Sequence, residues 1–235
     1  MPDELIHDLP MRWADLDELG HVNNVVYVDY ALEARAAHVR AGDLPALEVA
    51  SATVEFLRPL LLSERPVRVR STMVADELVQ EIAPVGAASP FARVTTRATA
   101  ATLAARPDAG ADYRLRVRGS DLGPDGSATL TRVFEYAQES RIAALRGLHE
   151  EHGAMGRFVV ARVDVVLAEP FTWRAEPYRA RTSITHVGRS SLTLGTDFEE
   201  GRLGRSDAVL VGFDLATQRS RVLEDAEREI LSRGC

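Results

Sequence analysis

The 235-residue chain contains no lysine, so all 28 of its basic residues are arginine. A Schiff-base mechanism, which needs a lysine amine, is thereby excluded. Arginine grips phosphate or carboxylate with two parallel hydrogen bonds, although an Ala- and Arg-rich composition accounts for the bias equally well. Cysteine is nearly absent too. The only one is Cys235, which rules out an intrachain disulfide or a CxxC metal site and leaves little room for a pocketed cysteine nucleophile. Positive charge is in deficit: 35 acidic residues leave a net charge of −7, the wrong sign for nonspecific binding to nucleic acid or an anionic membrane. No apolar run approaches the roughly 20 residues that span a bilayer. The opening "MPDELIHDLP" is acidic where a secretory signal is basic and then apolar, so the expectation is a cytoplasmic protein without membrane contact.

What the chain does contain is a repeat. "DYALEAR" (29–35) aligns with "EYAQESR" (135–141) at a shift of 106, and the same shift places Arg12 on Arg118, Asp15 on Asp121 and Gly20 on Gly126. Further on, Pro59 matches Pro170 and Pro66 matches Pro177 at a shift of 111, so five extra residues enter the second copy near "HEEHGAMG". One plan repeated over nearly the whole chain implies two similar units, residues 1–106 and 112–235, joined through "ARPDAGAD" at 105–112.

Each copy opens on a short alternating strand ("LIHDLPMRW"; "DYRLRVRGS"), followed by a turn-rich loop and a helical stretch. Val25, Val28, Leu32, Ala36 and Val39 recur at helical spacing, as do Val133, Ala137, Ile142 and Leu145. Then come β-patterned runs: "ALEVASATVEFLRPLLL", "PVRVRSTMVA" and "FARVTTRATA" in the first copy, "RFVVARVDVVLAEPF", "PYRARTSITHVGRSSLTLGTDF" and "DAVLVGFDLAT" in the second. Pro59 and Pro170 mark strand ends, since proline cannot donate to a ladder. A helix followed by strands with hairpin-length connections implies an antiparallel sheet in an α+β fold. The closing "EDAEREILSRG" has the pattern of a short surface helix.

The loop of the first copy, "ADLDELGHVNN" (14–24), runs into the helix, and Gly20 allows it to double back. Asn23 or Asn24 has the residue type of a helix N-cap. The surrounding "RWADLDELGHVNNVVYVDYALEAR" strongly resembles the signature of the hotdog-fold acyl-CoA thioesterases of the 4-hydroxybenzoyl-CoA thioesterase-like superfamily. The match is close over 24 residues (12–35), while the wider likeness covers both copies. The resemblance implies a double hotdog, each unit a long central helix wrapped by an antiparallel sheet, which hydrolyses an acyl or aroyl thioester to free acid and CoA.

Residue by residue, it implies a catalytic carboxylate at Asp17 and a carbonyl-polarising backbone N–H at Asn24, with His21 beside them. A carboxylate serves thioester hydrolysis either as general base for water or as nucleophile. N–H groups at a helix start, backed by the positive end of the dipole, stabilise an oxyanion. Asn23, Tyr27 and Arg58, with Arg189, Ser190 and Ser191 of the "VGRSS" stretch, are substrate-binding candidates. Arg189 is placed to meet a CoA phosphate, against the competing reading of a β-hairpin turn. No metal or cofactor is required, CoA being part of the substrate. "HEEHG" (149–153) offers only a His-x-x-His pair without a third ligand.

The second copy, "SDLGPDGSATL" (120–130), puts Gly123 at Asp17, Ser127 at His21, Thr129 at Asn23 and Leu130 at Asn24, while Arg12, Asp15, Gly20, Tyr30, Glu33 and Arg35 keep their identities. Loss of the chemical set on a retained frame implies one functional site per chain, with Asp15 and Asp121 structural. Alternatives are an acyl carrier protein thioesterase and a non-catalytic acyl-CoA binding protein. The D-x-N-P-x-H loop of hotdog dehydratases does not occur. Fused pairs with open sheet edges are candidates for further homo-oligomerisation.

Overall fold

In the computed structural model, the described residues are 4–17, 20–46, 48–100, 106, 110–153, 156–214, 216–217 and 219–233. They form two compact units, Met1–Ala101 and Thr102–Cys235; most of the expected linker lies outside the described residues.

Unit 1 is built from β1 (Leu5–Leu9), α1 (Val26–Ala41), β2 (Ser51–Phe56), β3 (Val67–Val74), β4 (Glu77–Pro84) and β5 (Ala92–Arg97). Its sheet is antiparallel, in the order β1-β3-β4-β5-β2. Unit 2 comprises β6 (Ala111–Leu115), α2 (Leu130–His152), β7 (Phe158–Leu167), β8 (Tyr178–Val187), β9 (Ser191–Phe198), β10 (Gly204–Asp214), the short β11 (Arg219–Ser220) and α3 (Asp225–Arg233). Its order, β6-β8-β9-β10-β7 with β11 against β10, repeats that of unit 1 strand for strand. The expected α+β double hotdog is what the chain forms. No helix among the described residues is long and apolar enough to cross a membrane.

The strands follow from alternation. In "VRVRSTMV", Val67 and Val69 are fully buried while Arg68 lies directly across from Asp8 of β1 and pairs with it at 2.7 Å. Strand β4 hides its alternation, because the residue between buried Leu78 and Ile82 is Gln80. Its Nε2 donates to the Ala31 carbonyl of α1 (2.8 Å) and to Ser71 Oγ (3.1 Å), tying helix to sheet. In unit 2 the Thr182 and Thr196 hydroxyls, 2.8 Å apart, hold the same positions in the ladder. The five extra residues of the second copy prolong the helix: α2 runs to His152, which puts His149 and His152 in its last turn, and Gly153 closes it with its N–H on the His149 carbonyl (2.9 Å).

One buried group fixes each helix to its preceding loop. Asp15, 2% exposed, accepts from the Tyr30 hydroxyl (2.7 Å) and the Arg12 backbone N–H (2.8 Å). Asp121 accepts from Tyr136 (2.8 Å) and the Arg118 N–H (2.8 Å). Burial, and next the bonded carboxylate, push both phenols well above the ordinary tyrosine range. The structural expectation for these two aspartates is supported by this geometry. Tyr136→Phe is expected to cost about 1.5–3 kcal/mol, the range for a hydrogen bond to a charged group, read from urea denaturation.

The C-terminal segment is latched to unit 2. Arg221 grips Glu227 with two nitrogens (2.6 and 2.7 Å), and Glu227 also accepts from the Gly156 N–H (2.7 Å). The Arg221 hydrogen bonds hold this carboxyl at about 2, below its ordinary 4.5. A depressed folded-state pKa stabilises above the unfolded value and the gain is lost on acidification. Amide exchange protection of α3, corrected for intrinsic rates, should therefore fall as pH drops from about 4.5 towards 2, and Glu227→Gln should flatten that dependence.

Candidate active site

The loop before α1 is a closed turn built on its own backbone. Leu16 bridges Val22, the Asp17 N–H donates to the His21 carbonyl (2.7 Å), and the Gly20 N–H returns to the Asp17 carbonyl (3.1 Å). Gly20 takes φ +74°, the left-handed conformation that this return requires. The Asp17 side chain completes the turn, its Oδ1 accepting from the His21 N–H at 3.0 Å. The loop is then tied down on both sides: Asn23 N–H to the Asp15 carbonyl (2.8 Å) and Val22 N–H to the Leu60 carbonyl (2.8 Å).

Helix α1 begins at Val26, two or three residues later than the expected start at Asn23 or Asn24. The entry turn explains the shift. Asn23 Oδ1 accepts the Val25 N–H (3.0 Å) and its carbonyl accepts the Val26 N–H (2.9 Å), so the entry is a tight turn ahead of the first full helical bond. The Asn23 carboxamide oxygen is thus engaged in closing this turn, and α1 itself has no side-chain cap. The Asn24 N–H has no acceptor among the described residues, as expected of an orphan donor at a helix start.

Leu60 is the residue that the sequence did not single out. Besides holding Val22 through its carbonyl, it donates its N–H to the Tyr27 hydroxyl (3.2 Å), and the next residue, Leu61, bridges His21. The strap 57–61 therefore runs along the loop, and Pro59, already legible as a strand end, releases it from the sheet. Tyr27 is buried with its ring edge-on to Phe56. Burial pushes its hydroxyl up to about 12; the Leu60 N–H opposes that and the Asp17 charge adds to it, so phenol and carboxylate share one electrostatic neighbourhood. Arg58 lies on the strap too, but its guanidinium is turned over the Phe91 ring (5.8 Å). Trp13, three residues past Pro10, is 81% exposed.

Unit 2 repeats the loop bond for bond. Leu122 bridges Ala128, the Gly123 N–H donates to the Ser127 carbonyl (2.7 Å), the Gly126 N–H to the Gly123 carbonyl (3.0 Å), and the Ala128 N–H to the Phe171 carbonyl (2.7 Å). The acid has moved: Asp125, not position 123, accepts the Ser127 N–H (3.1 Å) and hydroxyl (2.7 Å). Thr129 caps α2 at Leu130. Arg189, Ser190 and Ser191 form the β8–β9 hairpin turn, closed by Gly188 N–H to the Ser191 carbonyl (2.7 Å); the Arg189 and Ser190 carbonyls accept from Leu223 (3.0 Å) and Gly212 (2.8 Å). Within unit 2 this turn lies at the end of β8 away from Tyr178, the residue paired with Leu115 just ahead of the 120–130 loop. The structure brings it together with the C-terminal segment.

A shallow, open cleft lies elsewhere in unit 1, between Arg35, Leu44, Val49, Met73, Leu78 and Thr96. Arg35 is nine residues beyond the start of α1, about 14 Å along its axis, so the cleft belongs to the other end of the helix from Asp17. No group of three metal-ligating side chains occurs among the described residues.

The sheet order and loop geometry define a double hotdog protein. The family model for the acyl-ACP thioesterase C-terminal domain matches residues 2–65. Among solved structures, the chain is similar to a 12:0-ACP thioesterase from Umbellularia californica, at 11% identity and a TM-score of 0.68 over 93% of this chain and 94% of that one. It is also similar to an acyl-ACP thioesterase from Bacteroides thetaiotaomicron, at 10% identity and a TM-score of 0.60 over 88% and 98%. No curated protein matches in sequence. Likeness at this identity establishes the fold, both halves included.

Asn23→Ala should cost about 1 kcal/mol, the usual net worth of one hydrogen bond, here the one that closes the turn on the Val25 N–H, measured as a shift in the urea midpoint.

Proposed function

We propose that unit 1 is a thioester hydrolase acting on an acyl group carried by a pantetheine thiol. The observation that carries this reading is the Asp17 carboxylate, held by the His21 N–H on the tied-down loop that leads directly into α1, where the Asn24 N–H has no acceptor among the described residues. Asp17 removes a proton from water as the oxygen attacks the thioester carbon, or attacks it directly and is released by water in a second step. The Asn24 N–H, with the helix dipole behind it, bears the charge on the former carbonyl oxygen. Collapse expels the thiolate, which is protonated, and leaves the free acid. Tyr27 holds Leu60 and hence the strap, His21 stands beside the acid, and no metal or further cofactor is needed.

Acyl-CoA is the carrier implied by the loop signature. An acyl carrier protein is the second reading, favoured by the family model over residues 2–65 and by the two whole-chain likenesses. Arg58, Arg189, Ser190 and Ser191 are then proposed carrier contacts.

Thiol release is to be measured over acyl-CoAs of varied chain length and over acyl carrier protein thioesters, with Asp17→Ala and Asp17→Asn beside wild type. Loss of one general base or nucleophile is expected to lower turnover by about 10²–10⁴. Full rate in a folded Asp17→Ala protein would remove Asp17 from the site; no release from any substrate would remove the hydrolase reading. Greater kcat/KM on one carrier decides between the two.

A further inference from the structure

The repeat keeps one arginine on the buried side of each helix, and the two are provided for differently. Arg35 of α1 stands half-buried on the open cleft of unit 1, whose lining includes Glu48 and Asp76. Arg141 of α2, at the same place in the repeat, is only 5% exposed. It has neither a hydrogen bond nor an ion pair among the described residues.

The sheet accounts for the contrast. In unit 1, Met73, Leu78 and Thr96 pair across β3, β4 and β5 and line the cleft with Arg35. The ladder of unit 2 puts Ile184, Leu194 and Ala208 at those places, all three apolar and buried. The turn that carries Asp76 in unit 1 becomes Gly188, Arg189 and Ser190, without an acid. The segment 221–233 runs past this end of unit 2, with the Leu223 N–H on the Arg189 carbonyl (3.0 Å) and α3 against β8. Its buried carboxylate, Glu227, is already taken up by Arg221 and the Gly156 N–H.

A guanidinium withdrawn from water without a counter-charge costs several kcal/mol. Burial alone pulls the Arg141 pKa down to about 10, where a neighbouring carboxylate would have raised it, and the group is still a cation at neutral pH. Nor is it sealed. Among the described residues, only His38 Nε2 and Gln80 Oε1 are both closed to solvent and unpartnered, so the unpartnered Arg141 nitrogens retain a narrow opening. Arg141 lies eleven residues beyond the start of α2, about 16 Å along its axis, in the body of the helix and not in the loop at 120–130.

We propose that Arg141 seats a small oxyanion, a carboxylate or a phosphate, which supplies the counter-charge that unit 2 lacks there. The planar fork of a guanidinium takes either group through two parallel hydrogen bonds, and the low dielectric around a buried stem strengthens the attraction. The site is independent of the hydrolase reading.

The test is the melting temperature of the full chain, titrated at fixed ionic strength with low-millimolar phosphate, acetate or decanoate against chloride. A ligand that binds only the folded state raises that temperature saturably, and this is the expected result for at least one of the three. Arg141→Met keeps the length of the stem without the charge and should abolish the rise, whereas Arg35→Met should keep it. Should Arg141→Met fold poorly, Arg141→Lys keeps the charge without the fork and should raise the half-saturating concentration roughly tenfold, read by calorimetric titration. Phosphate acting alone identifies a phosphate site, and decanoate or acetate acting alone a carboxylate site. The proposal is overturned if none of the three anions gives a saturable rise, if the rise survives in Arg141→Met, or if Arg141→Lys binds as tightly as wild type.

Discussion

Everything at the helix mouth hangs on one buried carboxylate, Asp15. Asp15 is buried and bonded on two sides, by the Tyr30 hydroxyl from α1 and by the Arg12 backbone N–H three residues past β1. A carboxylate removed from water is stable only if hydrogen bonds replace the water it loses. That demand fixes the distance between strand end and helix. The loop in between has little choice of path, and the Asp15 carbonyl then receives the Asn23 N–H and sets the helix entry. Asp121 and Tyr136 impose the same constraint on unit 2. Two loops of different sequence consequently share one backbone.

Much of this was legible in the residues. The shift of 106 that aligned Asp15 with Asp121 and Tyr30 with Tyr136 picked out the pair that later proved bonded, because residues retained on a repeated frame are those the frame needs. The valine-arginine alternation of β3 predicted its two faces. Strand β4 escaped notice because a buried glutamine occupies its core face, and Gln80 is admitted there only by partners on α1 and β3 that no local pattern reveals. The helix start was misplaced by two or three residues for a related reason: Asn23 caps a tight turn and not the helix itself. Leu60 was invisible, since what it contributes is its backbone. The hairpin at 188–191 was one of two readings from sequence, and the closing Gly188–Ser191 bond supplies its geometry.

The order of the halves is informative. A family model that describes a C-terminal domain matches residues 2–65, within the first unit of this chain. Both units have the same strand order and the same loop path, so the frame offers no reason for the equipped loop to stand in one position and not the other. What distinguishes the units lies at the surface of the frame: the acid in the loop, and the segment laid across the far end of the sheet.

The migration of the loop acid from position 17 to the place of Asp125 separates two duties that unit 1 assigns to a single side chain. In unit 1, the oxygen that closes the turn and the carboxylate proposed for the reaction belong to one residue. In unit 2 the turn is closed by Asp125, whose bonds to Ser127 hold its carboxyl below the usual aspartate range, and position 123 can be glycine without loosening the loop.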